Sequence, residues 1–167
     1  MHPGEAIQNQ VIRADYANPV HADALVMLLN AYAEDPMGGG KSLSKFAQEN
    51  LITALAARTQ AFSILAFSGE KPVGLVNCFE GFSTFACRPL INVHDVAVLR
   101  QFRGQGLARN MLGLVETIAR ERGACKLTLE VLQGNSGAIH LYETLGFAAY
   151  QLDPAMGQAC FLQKLIG

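Results

Sequence analysis

QFRGQGLARNML, residues 101–112, sets two glycines one residue apart between two arginines and runs straight into an apolar stripe. Gly104 and Gly106 remove side chains where a backbone must approach something closely. Leu107, Met111, Leu114, Val115 and Ile118 recur at helical spacing, so a helix opens at Leu107. The first turn of such a helix presents N–H groups with no acceptor inside the helix, together with the positive end of the helix dipole. Arg103 and Arg109 add formal charge at the same place. A site built this way suits a diphosphate. A plain strand-to-helix turn with two solvated arginines is the simpler alternative, and the glycines alone do not separate the two.

Upstream, QVIRAD (10–15) reads as a short first strand. Pro19 then precedes a helix carrying Ala24, Leu25, Leu28, Leu29 and Tyr32 on one face. DPMGGG (35–40) ends it, and Ser42 or Ser44 caps a second helix over roughly 43–58. AFSILAFS (61–68) and VGLVNCFEGF (73–82) form a hairpin about the turn GEKP, and RPLINVHDVAV (88–98) is the next strand. Downstream of the glycines, Arg120 and Arg122 suit the negative end of the helix and Gly123 closes it. CKLTLEV (125–131) alternates as a strand, and NSGAIHLYETL (135–145) is a short helix with Asn135 as N-cap and Gly146 as its stop. FAAYQL and QACFLQKL are expected as two closing strands joined by DPAMG. The expected order is βααβββαβαββ, one α/β domain over residues 1–167 with a mixed sheet.

Composition narrows the function. Half of the 167 residues are hydrophobic and 16% are charged, enough to bury a full core. The net charge of -1 gives no general attraction to nucleic acid or to an anionic membrane. The apolar stretches are interrupted before the roughly 18 residues of a spanning helix, and MHPGEAIQNQ lacks the layout of a signal peptide. Cys78, Cys87, Cys125 and Cys160 have no CxxC spacing, which indicates reduced thiols in a cytoplasmic protein and no metal site.

Two other glycine motifs fail on their surroundings. GGGKS (38–42) matches the end of a phosphate-binding P-loop, but Asp35 stands where the first glycine belongs and a helix, not a strand, precedes it. A mobile loop over a substrate entrance is the better reading. A dinucleotide fingerprint starting at Gly104 would put its third glycine at Arg109, too large for close helix–strand packing, and five residues (Leu99 to Arg103) intervene after the strand.

Read with its neighbours, the segment is more specific. VHDVAV, then QFRGQGLA, then NSGAIHLYETLGF resembles the GNAT superfamily of acetyl-CoA-dependent N-acetyltransferases. Its Q/R-x-x-G-x-G/A signature is met twice, by Gln101, Gly104 and Gly106 and by Arg103, Gly106 and Ala108. Its N-x-x-A-x-x-x-Y…GF pattern is met by Asn135, Ala138, Tyr142, Gly146 and Phe147. The resemblance covers about residues 90–150 and implies that family's fold, a mostly antiparallel mixed sheet flanked by helices. It implies acetyl-CoA as cofactor. Backbone groups of Val96, Ala97 and Val98 would bind the pantetheine arm as an extra strand. Amides of Arg103, Gly104, Gln105, Gly106, Leu107 and Ala108, with Arg109 beside them, would cradle the diphosphate. Asn135 and Ala138 would lie against the cofactor, and Tyr142 would stand by the thioester sulfur as general acid.

The implied reaction is attack of a neutral amine on the acetyl carbonyl within a ternary complex, and positioning alone lowers such a barrier by up to about 7–11 kcal/mol. A lysine-like amine has a pKa of about 10.4, so it arrives protonated and a base must take the proton. Glu80, His94 and Asp95 are the candidates. His94 and Asp95 are adjacent on one strand and point to opposite faces unless a bulge intervenes. The strand also resembles the E-D pair of diamine acetyltransferases, with His94 in place of the first carboxylate, which weakens the case for a dicationic substrate. The favoured acceptor is a primary amine of a small metabolite. Acetylation of a protein N-terminus or lysine, and an acyl-CoA-binding module without catalysis, are the alternatives. Phe82 and Phe85 serve equally as an acceptor wall or as a homodimer contact.

Overall fold

The structure is a computed structural model in which residues 8–166 are described; the first seven residues of the polar N-terminal stretch lie outside them. Two compact units are distinguished, Met1–Leu129 and Glu130–Gly167.

The first unit is a five-stranded sheet in the order β1-β2-β3-β4-β5: β1 (Asn9–Arg13), β2 (Ala61–Ser68), β3 (Lys71–Ser83), β4 (Arg88–Val98) and β5 (Leu127–Leu129). Neighbours are antiparallel except β4 and β5, which run parallel. A parallel neighbour needs a crossover, and α3 (Leu107–Glu121) supplies it between β4 and β5. Cross-strand partners share a face of the sheet. Ile12, Leu65, Leu75 and Ala97 are such a row, and Ala24, Leu25 and Leu28 of α1 (Pro19–Glu34) pack on it with Ile52 of α2 (Lys45–Ala56) at the margin. The opposite face carries α3: a Cβ on Gly74 would meet Met111 Cε at 2.9 Å, so glycine there lets the helix close on the sheet.

The helices start where their caps put them. Asn18 accepts from the N–H groups of Val20 and His21, with Pro19 at the first helical position. Ser44, not Ser42, caps α2 by accepting from Ala47 N–H, while Ser42 donates to Glu34. On α3 the buried stripe is Leu107, Met111, Leu112, Val115, Ile118 and Ala119, and Leu114 is half-buried at its edge. Cys78 lies deep in the sheet, where burial pushes its thiol up to about 12, and Cys87 and Cys160 are exposed.

The second unit holds α4 (Ser136–Thr144), capped by Asn135, whose side chain accepts from Ala138 N–H at 3.2 Å. The two expected closing strands are not formed. Residues 147–153 and 157–166 carry no ladder, and Asp153 caps a short 3-10 turn at Pro154–Met156. Between the two stretches the Ala159 N–H donates to the Tyr150 carbonyl at 3.1 Å. Strand propensity is realised only through a packed partner, and a lone two-stranded ribbon is marginal in water. The sequence order is therefore corrected to βααβββαβα, with the mixed, mostly antiparallel sheet as expected.

Candidate active site

After β4 the chain makes a 3-10 turn at Arg100–Phe102 and then the two-glycine turn. Gly104 and Gly106 both hold φ +77°, a conformation that costs a residue with a Cβ about 1–2 kcal/mol. Gly106 is the N-cap of α3 and offers no side chain to its free amides. A Cβ built on either glycine meets no atom within 4 Å, so open space lies before the turn. The residues present therefore fit a diphosphate: left-handed glycines, open volume and a helix N-terminus. The N–H of Arg103 is the exception among the expected amides, since it donates to the Arg100 carbonyl. The Arg103 side chain acts as a brace. Its Nε donates to the Val98 carbonyl at 2.9 Å and its Nη2 to Asp35 Oδ2 at 2.9 Å, tying the turn to the end of α1.

β4 leads into this turn with one side open. Its ladder with β5 stops at Val93–Leu129, although β4 runs on to Val98. The Leu99 N–H donates to the Val73 carbonyl, which sets the phase of the antiparallel alternation. By that phase the backbone groups of Ala97 and Asp95 turn toward β3, and those of Val96 and Val98 turn toward the open side. Val96, with the N–H of Val98, whose carbonyl already accepts from Arg103, thus offers an edge to which an extended amide-bearing chain can bond.

The ladder between β3 and β4 shifts register here: Asn77 pairs with Asp95, but Cys78 pairs with Val93. His94 is the extra residue of a β-bulge. The bulge brings together the two side chains that a regular strand would separate. Asp95 accepts from Asn77 Nδ2 at 3.0 Å, and the His94 ring stands edge-on to Phe79, 5.4 Å between centroids, on the face that carries α1. Behind Asp95 a hydrogen-bonded chain crosses the sheet. Ser63 Oγ donates to Asn77 Oδ1 at 2.6 Å, and Tyr16 Oη lies 2.9 Å from Ser63 Oγ. Burial raises the Tyr16 hydroxyl pKa above its ordinary value, so it stays protonated.

A cavity of about 330 Å³ opens between the end of α1 and the end of β4, lined by Tyr32, Asp35, Ala97, Val98 and Arg103 among others. The Tyr32 hydroxyl pKa is raised, first by burial and then by the negative charges of Asp95 and Asp35. The cavity lining also holds Arg100 and Arg103, and Arg103 pairs with Asp35, so of the two carboxylates Asp95 is the one left to attract a cation.

Glu80 is not brought to this place. It sits on the α3 face, where Arg122 Nη1 bonds its Oε2 at 3.0 Å and the same guanidinium lies 4.7 Å from the Phe62 ring centroid. Tyr142 is buried on α4 in the second unit, its ring 5.8 Å from that of Phe147 and tilted edge-on. Phe82 and Phe85 are exposed at the far end of the β3–β4 hairpin. Sequence reading did not single out Ser63, Asn77 or Tyr32 as parts of the site. A signal for the first two was present: each is a polar residue in the middle of an otherwise apolar strand.

Residues 25–147 match the model of the Acetyltransferase (GNAT) family. Thialysine N-epsilon-acetyltransferase of Caenorhabditis elegans is 29% identical over 134 residues, covering 77% of this chain and 78% of the relative. Streptothricin acetyltransferase of Streptomyces lavendulae is 39% identical over 80 residues, 48% of this chain and 42% of the relative. In structure the chain resembles a crystal structure of a probable acetyltransferase, with a TM-score of 0.78, 22% identity, and 95% and 99% of the two chains covered. An aminoglycoside acetyltransferase from an uncultured soil metagenomic sample, solved with trehalose, gives a TM-score of 0.76 at 15% identity, covering 95% and 97%.

Proposed function

The chain belongs to the acetyltransferase (GNAT) family and is an N-acetyltransferase, and we propose that it is one catalytic domain that moves an acetyl group from acetyl-CoA to the primary amine of a small cationic metabolite. The observation that carries this reading is the pair of left-handed glycines at the head of α3, with open space before them and the free edge of β4 leading in. Acetyl-CoA, when bound, supplies an activated thioester. The amides from Gly104 to Ala108 hold its diphosphate, with Arg109 adding charge, and Val96 and Val98 hold the pantetheine arm. Asn135 and Ala138 lie against the cofactor in this reading.

The acceptor enters as an ammonium, drawn by Asp95. Asp95 anchors it. His94, on the same face because of the bulge, takes the proton at a ring nitrogen and frees the lone pair for attack. Tyr142 donates a proton from Oη to the departing sulfur. A small amine is favoured over a protein because the space beside Tyr32 is a cavity of about 330 Å³. Curated relatives named for thialysine and streptothricin support the same class.

Gly106→Glu tests the reading. A Cβ at this position meets no atom within 4 Å, so the fold persists at a cost of about 1–2 kcal/mol from the left-handed backbone. It places bulk and negative charge where the diphosphate belongs. Calorimetric titration with acetyl-CoA should show binding by the parent and at least a hundredfold weaker binding by the variant. Undiminished affinity in a folded variant removes the assigned site.

A further inference from the structure

Buried polar side chains in the centre of a sheet need a reason, because apolar residues of similar size there are as stable or more so. Among the described residues two polar side chains are buried, Ser63 on β2 and Asn77 on β3. They are neighbours in register, Ser63 opposite Asn77 and Asn77 opposite Asp95, so the three form one row across three strands. Every step of the row is a hydrogen bond: 2.9 Å from Tyr16 to Ser63, 2.6 Å from Ser63 to Asn77, and 3.0 Å from Asn77 to Asp95.

The direction of the chain follows from its end. An ionised carboxylate only accepts, so the Asn77 amide nitrogen must face Asp95 and its oxygen must face Ser63. Ser63 then spends its single proton on Asn77 and must accept from Tyr16. Three donors point the same way and reinforce one another toward the carboxylate. The row beside this one, Leu65, Leu75 and Ala97, is apolar and packs under α1. The polar row is therefore a local departure from an otherwise apolar face, and it leads to the residue beside the bulge.

We propose that Ser63 and Asn77 are positioning residues: with Tyr16 as anchor at the far end, they hold the Asp95 carboxylate in the one rotamer that meets the acceptor ammonium. The proposal rests on the reading of Asp95 as the acceptor's anchor. It assigns the row no proton transfer; the Asn77 amide is neither acid nor base near neutral pH, and its contribution is orientation of the carboxylate.

The test is the double variant Ser63→Ala/Asn77→Leu, compared with Asp95→Asn and with all three changes together. Replacing both buried partners by apolar groups leaves no orphan between them, but Tyr16 and Asp95 each lose one bond, so the melting temperature should fall by a few degrees, about what one or two lost hydrogen bonds cost, with the variant still folded. The probes are thialysine, spermidine, lysine and sisomicin, and kinetics follow the best of them. The amine KM should rise about tenfold in the double variant, the size of one lost hydrogen bond to a charged group, with kcat changed much less. Acetyl-CoA affinity should not move. The triple variant should be no worse than Asp95→Asn, because the row acts only through that carboxylate. If Asp95→Asn raises the KM and the folded double variant does not, the positioning role is overturned and the anchor stands. If Asp95→Asn leaves the KM unchanged, the anchor itself falls, and the proposal with it. Crystal structures decide the case in which no probe turns over or the double variant folds poorly: several Asp95 rotamers in the variant, or in Ser63→Ala alone, support the role, and one unchanged rotamer overturns it.

Discussion

Tyr142 occupies the seventh position of a nine-residue helix, Ser136–Thr144, and its phenol is the group proposed to protonate a departing thiolate. A thiol like that of cysteine has a pKa of about 8.5, so the anion is a tolerable leaving group even without help. The hydroxyl then accelerates the reaction without being indispensable. Tyr142→Phe keeps the ring that stands edge-on to Phe147 and removes the hydroxyl. Stopped-assay rates should show kcat falling about 10–100-fold, toward the low end of what a positioned acid contributes. Acetyl-CoA affinity should stay within error of the parent. A variant with parental kcat would leave the sulfur to be protonated by solvent.

At the scale of elements, the bulge in β4 decides which side chains can work together. Without it Asp95 would sit on the α1 face and His94 on the α3 face, with Glu80 and its partner Arg122. With it, His94 joins Asp95 and Glu80 is left on the other side. His94→Gln should therefore lower kcat/KM by about 100-fold as a lost base does, while Glu80→Gln should stay within about twofold. Glu80→Gln should instead lower the melting temperature slightly, since Arg122 keeps its place over Phe62 but loses its ion pair. The opposite ranking in steady-state kinetics would return Glu80 to the site.

The same bulge marks where sequence reading runs out. Helical stripes, caps and the glycine turn are local, so α1, α2, α3 and α4 were legible within two or three residues of their ends. A one-residue shift in pairing leaves no mark in VHDVAV, because it arises from how β4 fits β3. The closing strands failed for a related reason: FAAYQL and QACFLQKL have strand-like composition, but only a partner turns composition into a ladder. Ser63 and Asn77 stood in plain view as polar breaks in apolar strands, yet their meaning depends on the register that aligns them with Asp95.

For the molecule as a whole, the acceptor side and the cofactor side of the first unit are joined through Asp35. It closes α1, caps the turn at Pro36–Gly38 by accepting from Met37 N–H, and pairs with Arg103 beside the glycine turn. The Met37 N–H, and after it the Arg103 guanidinium, hold its carboxyl below the ordinary carboxylate value. A carboxyl with a depressed folded pKa binds its proton more weakly in the native state than in the unfolded chain. Its stabilisation is therefore fully present above the unfolded value of about 3.9 and is lost as pH falls through the lower folded value. Asp35→Asn removes that titration. The pair is partly solvated, so the loss should be small, about 1–3 °C in melting temperature between pH 5 and 7. Once pH has fallen through that lower folded value, below the ordinary carboxylate range, the two melting curves should converge, because the parent's carboxyl is then protonated in the native state as well. A difference that persists unchanged into acid would mean that Asp35 stabilises by shape alone, and that charge does not tie the acceptor loop to the glycine turn.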